Sequence, residues 1–258
     1  MYWIDTHCHL ASDACRDNPE EYLERARENN VGRILAISCS IDDLDFHLSL
    51  KEKYDFIDVA FGMYPYDALE LDDKDWDKVY ERLHDDRILA VGEIGLDYYW
   101  DKSKKDEQIQ NFIKQINWAN ELDKPILIHA RDAYQDVYKI LKEYPVKEGA
   151  LMHCYSGSYE MTVQYRTLST GVLFAFGGAL TYKNSRNAKE CASKLPLEYI
   201  VTETDSPYMT PQIYRGQKNE TKNVRYVGEY LAELRGVSNE DIQEAIMANY
   251  ERFFKVKL

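Results

Sequence analysis

Long apolar runs are missing from this chain: none of its 258 residues belongs to a stretch of the roughly 20 apolar residues a membrane-spanning helix needs, so no membrane association is expected. Its start shows no basic segment followed by an apolar core and a cleavage site, so no secretory leader is read there. Positive charge is also scarce. The formal net charge of −13 excludes the basic footprint of a duplex-DNA-binding protein, although bound divalent cations could still serve an anionic substrate locally. Cysteine is sparse and unpatterned. Cys8, Cys15, Cys39, Cys154 and Cys191 are odd in number and lack C-x2-C spacing, which argues against a disulfide framework and a closed structural zinc site. Reduced thiols in a cytoplasmic protein are the expectation. No linker, low-complexity tract or internal repeat interrupts the chain, so one domain over residues 1–258 is expected.

What is present is an alternation. Eight apolar, β-rich runs have strand length: 2–7, 33–38, 57–62, 89–94, 126–129, 150–154, 172–176 and 199–203. Stretches of helical spacing separate them, such as Tyr134, Val137, Ile140 and Leu141. Ser238-x-x-Asp241 has the pattern of a helix N-cap, and Gly236 that of a C-cap. The acidic run from Glu70 to Arg87 fits a solvated helix surface better than a metal site. Near-continuous apolar strands alternating with helices indicate a parallel sheet covered by helices. Both a closed (β/α)8 TIM barrel and an open doubly wound sheet satisfy that pattern.

The histidines decide between them. Only six exist, and four (His7, His9, His129 and His153) fall at predicted strand ends. His7 and His9 are one residue apart at the end of an apolar run, so on a strand both imidazoles face one side while Cys8 faces the other. Any one of these histidines alone would be an ordinary core or surface residue; four at equivalent positions form a pattern. His47 and His84 lie on apparent helices and carry no such reading. Glu93, flanked by Gly92 and Gly95 within an apolar run, would be costly as an unpaired buried charge. Glu203 and Asp205, two residues apart, are expected to share a face. A closed barrel gathers all of these at one mouth, where barrel active sites lie. His7, His9, Glu93, His129, His153 and Asp205 are too many donors for one tetrahedral zinc but suit two divalent cations with open positions for water.

Five blocks then become recognisable in order: Ile4-Asp5-Thr6-His7-Cys8-His9-Leu10, Gly92-Glu93-Ile94-Gly95-Leu96-Asp97-Tyr98-Tyr99, Ile128-His129-Ala130-Arg131-Asp132-Ala133, His153-Cys154-Tyr155-Ser156-Gly157 and Glu203-Thr204-Asp205-Ser206-Pro207-Tyr208. Spanning nearly the whole chain, they resemble the TatD family of metal-dependent deoxyribonucleases, among the amidohydrolase-like metal barrels. The resemblance implies a (β/α)8 fold and two cations bridged by Glu93. His7, His9 and Asp205 would complete one metal site, and His129 and His153 the other. It implies hydrolysis of DNA phosphodiesters, often from a 3′ end. Ala11 replaces a usual acidic residue, and Lys218 and Thr221 replace a usual Arg and Pro; these departures bear on substrate preference.

The expected reaction is attack by a metal-activated water, with Asp205 orienting it and taking its proton and Glu203 organising the metal shell or the leaving-group side. Zinc, magnesium, manganese and nickel all remain open as the metal. Arg215, Asn219 and Asn223, in a basic, amide-rich segment after the last strand, are expected to meet phosphate or hold the loop. Arg131 and Asp97 are expected at the mouth. Tyr98, Tyr99, Tyr155 and Tyr208 are candidates to stack a terminal base. The expected partner is DNA, as single strands or 3′ ends, with no obligate protein partner. A barrel hydrolase acting on other esters or on amides, and a non-enzymatic metal- or nucleic-acid-binding barrel, are the alternatives.

Overall fold

The strands form because their residues are apolar and largely β-branched, and they stay apolar on both faces because both faces are covered. A computed structural model describes the backbone of all 258 residues and every side chain except those of Asp13 and Ala14. The chain runs β1 (Trp3–Cys8), α1 (Asp13–Arg16), α2 (Pro19–Glu28), β2 (Val31–Ser38), α3 (Ile41–Lys53), β3 (Ile57–Phe61), α4 (Asp73–Leu83), β4 (Ile88–Asp97), α5 (Lys105–Glu121) and β5 (Ile126–Arg131). It continues α6 (Tyr134–Glu143), β6 (Ala150–Met152), α7 (Tyr159–Tyr165), β7 (Val172–Phe176), α8 (Arg186–Lys194), β8 (Ile200–Thr202), α9 (Val224–Arg235) and α10 (Asn239–Phe254). Sequence neighbours are sheet neighbours from β1 to β8, and each of these pairs is parallel. The architecture is the (β/α)8 barrel; the open doubly wound sheet is excluded.

The helices follow from their patterns. α4 buries Trp76, Val79 and Leu83 on one stripe and leaves its acidic face to solvent, capped by the Asp72 side chain. α9 ends at Gly236, whose φ of 66° is the left-handed conformation glycine adopts freely, and α10 begins with the Ser238–Asp241 capping box.

Closure is achieved differently from the rest of the sheet. β1 and β8 share no regular ladder. The Thr6 hydroxyl donates to the Thr202 carbonyl and the Thr202 hydroxyl to the Ile4 carbonyl, each at 3.0 Å. Above them, Asp205 N donates to His7 O at 2.9 Å and His9 N to Ser206 O at 2.8 Å. Fully buried Asp5 ties the seam further, accepting from Thr204 N at 2.8 Å, from the Thr204 hydroxyl at 2.6 Å and from the Thr221 hydroxyl. Thr221 thus anchors the segment after the last strand to the first strand. At Gly95 only glycine fits: φ is +139° and a Cβ would stand 2.1 Å from the His129 carbonyl oxygen.

Candidate metal centre

Six donors converge at the C-terminal mouth of the barrel. His7 lies in β1 and His9 just past its end, while Cys8 turns away toward the Leu35 carbonyl at 3.7 Å. Glu93 lies in β4 and His129 in β5, and His153 directly follows β6. Asp205 stands three residues past β8, held with φ at 57° in the left-handed region that non-glycine residues rarely enter. Glu93 is only 4% exposed, and its two oxygens face different partners. Oε2 lies 3.4 Å from His7 Nε2 and 3.8 Å from His9 Nε2. Oε1 lies 2.7 Å from His129 Nδ1 and 3.8 Å from His153 Nε2. Asp205 Oδ1 is 3.4 Å from His9 Nε2 and 3.8 Å from His153 Nε2.

Apart from the direct hydrogen bond between His129 Nδ1 and Glu93 Oε1, these separations suit cations. Metal–donor bonds of about 2.0–2.2 Å bring two donors on one ion to roughly 3–4 Å. The chemistry of the donors agrees. His7 is fully buried, yet neither of its ring nitrogens has a hydrogen-bond partner, a condition that costs about 1–3 kcal/mol unless something satisfies them. A cation between His7, His9 and Glu93 would satisfy Nε2, the nitrogen that faces Glu93, and the group Glu93, His129 and His153 could hold another. Cys154 joins His153 and Asp205 in a further close group, a donor that sequence reasoning did not single out. Its thiol is held well above the ordinary range by burial and by Glu203 and Asp205, which keeps it protonated and a weak competitor.

Two more carboxylates hold the rings in place. Asp97 Oδ2 lies 3.0 Å from His129 Nε2, leaving Nδ1 toward Glu93. Glu203 Oε2 lies 3.0 Å from His153 Nδ1, leaving Nε2 toward Glu93 and Asp205, while Glu203 Oε1 accepts from Cys154 N at 2.7 Å. A carboxylate on the far nitrogen fixes tautomer and orientation in metal-binding histidines. One expectation is thereby corrected. Asp97 is fully buried and cannot meet substrate at the mouth; its oxygens are occupied by His129, the Tyr64 hydroxyl at 2.8 Å and Tyr99 N at 2.9 Å. Glu203 is also fully buried; it holds His153 and Cys154 N and forms a close donor group with His7 and His153, a position in keeping with organising the metal shell. Although β8 ends at Thr202 and strand alternation no longer governs them, Glu203 and Asp205 both turn to His153, one at each ring nitrogen.

The electrostatics follow from crowding in a dry site. Burial alone would raise Glu93, but His153, His129 and His7 outweigh it and hold Glu93 well below the ordinary carboxylate range. Burial lowers His7, helped by His153, whose ring stacks on it at 3.5 Å between centroids. Burial opposes protonation of His153 too, yet Glu203, Asp205 and Glu93 raise it to about 10. His47 is a different case: buried on α3 against the Ser38 hydroxyl at 2.8 Å, it has a structural partner.

The rim accounts for the remaining expectations. A cavity of about 730 Å³ opens over the donors, lined among others by Ala11, Tyr64, Trp100, Arg131 and Tyr208. Arg131 is exposed there. Tyr99 and Tyr208 are exposed, but Tyr98 and Tyr155 are buried and pack the barrel wall, so they cannot stack a base. Asn219 and Asn223 are buried as well. Asn219 Nδ2 donates to the carbonyls of Thr204 and Tyr208, and its Oδ1 accepts from Asn223, so this pair holds the loop and does not face the cavity. Arg215 borders a separate polar groove of about 460 Å³ with Tyr182, Lys183, Asn184 and Gln212. Sequence reasoning missed Trp100 and Tyr64; neither belongs to a spacing pattern, although Trp100 directly follows the recognised Tyr98-Tyr99 pair.

Comparison with known proteins agrees with this geometry. A family model described as TatD related DNase matches residues 4–255. The chain is 38% identical to the uncharacterized metal-dependent hydrolase YabD of Bacillus subtilis, covering 98% of this chain and 99% of that protein. It is 35% identical to the uncharacterized metal-dependent hydrolase MJ1582 of Methanocaldococcus jannaschii, covering 99% and 98%. The crystal structure of YjjV, a TatD homologue from Escherichia coli K12, superposes with a TM-score of 0.93 at 28% identity, covering 99% of this chain and 98% of that one. Matched from end to end in sequence and in fold, the chain belongs to the TatD family, whose relatives here are metal-dependent hydrolases.

Proposed function

We propose that this protein hydrolyses phosphodiester bonds of DNA at single-stranded or unpaired 3′ ends, as a 3′-5′ exonuclease using two divalent cations. The observation that carries the reading is Glu93, whose two oxygens each face a different histidine pair at the floor of the cavity. One cation would be held by His7, His9, Glu93 and Asp205, and the other by Glu93, His129 and His153. When bound, such a pair supplies positive charge to the non-bridging phosphate oxygens and brings a water's pKa toward ~7.

The chain's own residues do the rest. Asp205 turns Oδ1 to His9 and His153, which leaves Oδ2 to accept the proton of the attacking water. Asp97 and Glu203 keep His129 and His153 aimed inward through the reaction. Arg131 is the one arginine or lysine lining the cavity among the described residues, and it would pair with a phosphate oxygen. Arg215, over the neighbouring groove, would meet a phosphate farther along the strand. A single strand suits the depth of the site: a phosphodiester must descend into a cavity of about 730 Å³ toward the nearly buried Glu93, and an unpaired strand brings no partner strand with it.

Among the described residues no helix is long and apolar enough to cross a membrane; all five cysteines are free, which supports a cytoplasmic setting. Metal analysis combined with turnover of end-labelled single-stranded DNA tests the proposal, with zinc, magnesium, manganese and nickel supplied in turn. Two metal equivalents and stepwise shortening from the 3′ end are expected. Hydrolysis of small esters or amides with intact DNA would favour another hydrolase of the same architecture, and metal binding without turnover a non-enzymatic barrel.

A further inference from the structure

We propose that Trp100, Tyr99 and Arg131 form a stacking platform that holds an unpaired nucleobase at the rim while its phosphate lies over the metal centre; the inference deepens the phosphodiesterase reading and rests on it. Trp100 is 69% exposed and Tyr99 53% exposed. Isolated exposed aromatics are ordinary on protein surfaces, but these two are neither isolated nor loose. Their rings meet edge to face at 4.8 Å, and the Arg131 guanidinium carbon sits 3.7 Å above the Tyr99 ring and 5.5 Å from that of Trp100. The turn carrying them is clamped at both ends. Tyr99 N donates to Asp97 Oδ1 at 2.9 Å, and Asp101 N donates to the Tyr66 hydroxyl at 2.7 Å. Asp97 uses its other oxygen to hold His129 at 3.0 Å, so platform and metal donor share one anchor.

Charge selects the occupant. Trp100 and Arg131 line the same cavity as Glu93 and Asp205; Asp43 and Asp67 there oppose an anion, so Arg131 and the bound cations must attract it. Arg131 makes no ion pair with a carboxylate among the described residues, so its charge is available to an incoming anion. An indole face, a guanidinium beside it and a cation-binding centre below match the three parts of a nucleotide end: flat base, flanking phosphate and scissile phosphate. Stacking on an indole tolerates any base, which suits hydrolysis without sequence preference.

The test compares metal-loaded wild type, Trp100→Ala and Trp100→Phe on two single-stranded oligonucleotides that differ only in the terminal nucleotide, one normal and one abasic. On the normal strand Trp100→Ala should raise KM by about 5- to 150-fold, the range expected for one lost base–aromatic stack, with kcat moving less. Trp100→Phe should recover most of the loss. The abasic end should cost wild type a similar factor, and Trp100→Ala on that end should lose nothing more. A second measurement is independent of turnover: oligothymidylate titrated into wild type should quench tryptophan fluorescence, and that component should vanish in Trp100→Phe. DNA cleavage with KM unchanged in Trp100→Ala would overturn the platform and leave the phosphodiesterase reading standing. Quenching without cleavage would overturn the phosphodiesterase reading and reduce the platform to a base-binding surface with no scissile phosphate over the metal centre, and neither quenching nor cleavage would overturn both.

Discussion

Asp97 Oδ2 and His129 Nε2 lie 3.0 Å apart, and this one contact determines which face of the imidazole is offered to Glu93. If it orients a metal donor, Asp97→Asn should weaken metal binding by about 10- to 100-fold while the barrel stays folded. Competition with a chelator of known affinity measures the change, with circular dichroism as the control for fold. Unaltered affinity would reduce Asp97 to a packing residue.

Glu93→Gln keeps the shape of the side chain and removes the charge that two histidine pairs face. Metal stoichiometry should fall below that of wild type, and DNA hydrolysis should drop by at least ~100-fold, since both the ions and the attacking water depend on the site. Elemental analysis of the purified variant and a turnover assay decide it. Full occupancy with wild-type turnover would refute the bridging role.

Asp205→Asn should separate chemistry from ligation. Loss of a proton acceptor lowers kcat by about 10²- to 10⁴-fold, while His7, His9 and Glu93 retain much of the metal. The informative comparison is kcat against metal content in one preparation. A parallel fall of both would assign Asp205 to ligation alone.

Removal of metal should leave a protein with its own pH dependence. Stripped of cations, His153 takes up a proton against burial because Glu203, Asp205 and Glu93 surround it, and its folded pKa of about 10 exceeds the unfolded value of 6.5. The folded state therefore binds more protons between these values. The stabilisation is complete below pH 6.5 and is lost as pH rises toward 10. Thermal melts of the chelated protein from pH 6 to pH 10 should show Tm falling with pH from this group. Metal binding has the opposite slope, strengthening as protons leave the ligands. A chelated protein as stable at the alkaline end as at pH 6.5 would contradict this account.

How far the sequence reached depended on whether a residue's role was local. His7, His9, Glu93, His129 and His153 were legible because a strand end is a local feature and its order along the chain is visible. Several boundaries were displaced: β4 continues to Asp97, and β6 and β8 stop at Met152 and Thr202. That displacement removes the alternation argument for Glu203 and Asp205, and Asp205 adopts a left-handed backbone that no periodicity encodes. The roles of Asp97, Glu203, Asn219 and Asn223 depend on burial and on partners up to 50 residues away. Nothing in the residue types separates a carboxylate that holds a ring from one that meets substrate. Trp100 was silent for a related reason: its significance lies in Arg131, which belongs to the neighbouring strand.

The threonine-laced seam between β1 and β8 also bears on synthesis. The ligands run from His7 to Asp205, and Asp5 secures the far segment only through Thr204 and Thr221. A ribosome-bound chain that has emerged only through β7 therefore carries five of the six donors but has no closed mouth to arrange them. Such long-range pairing is slow to form and exposes strand edges meanwhile. A chain stopped short of its last strand therefore lacks Asp205 and the seam that gathers the other donors, so the mouth is assembled in one late step.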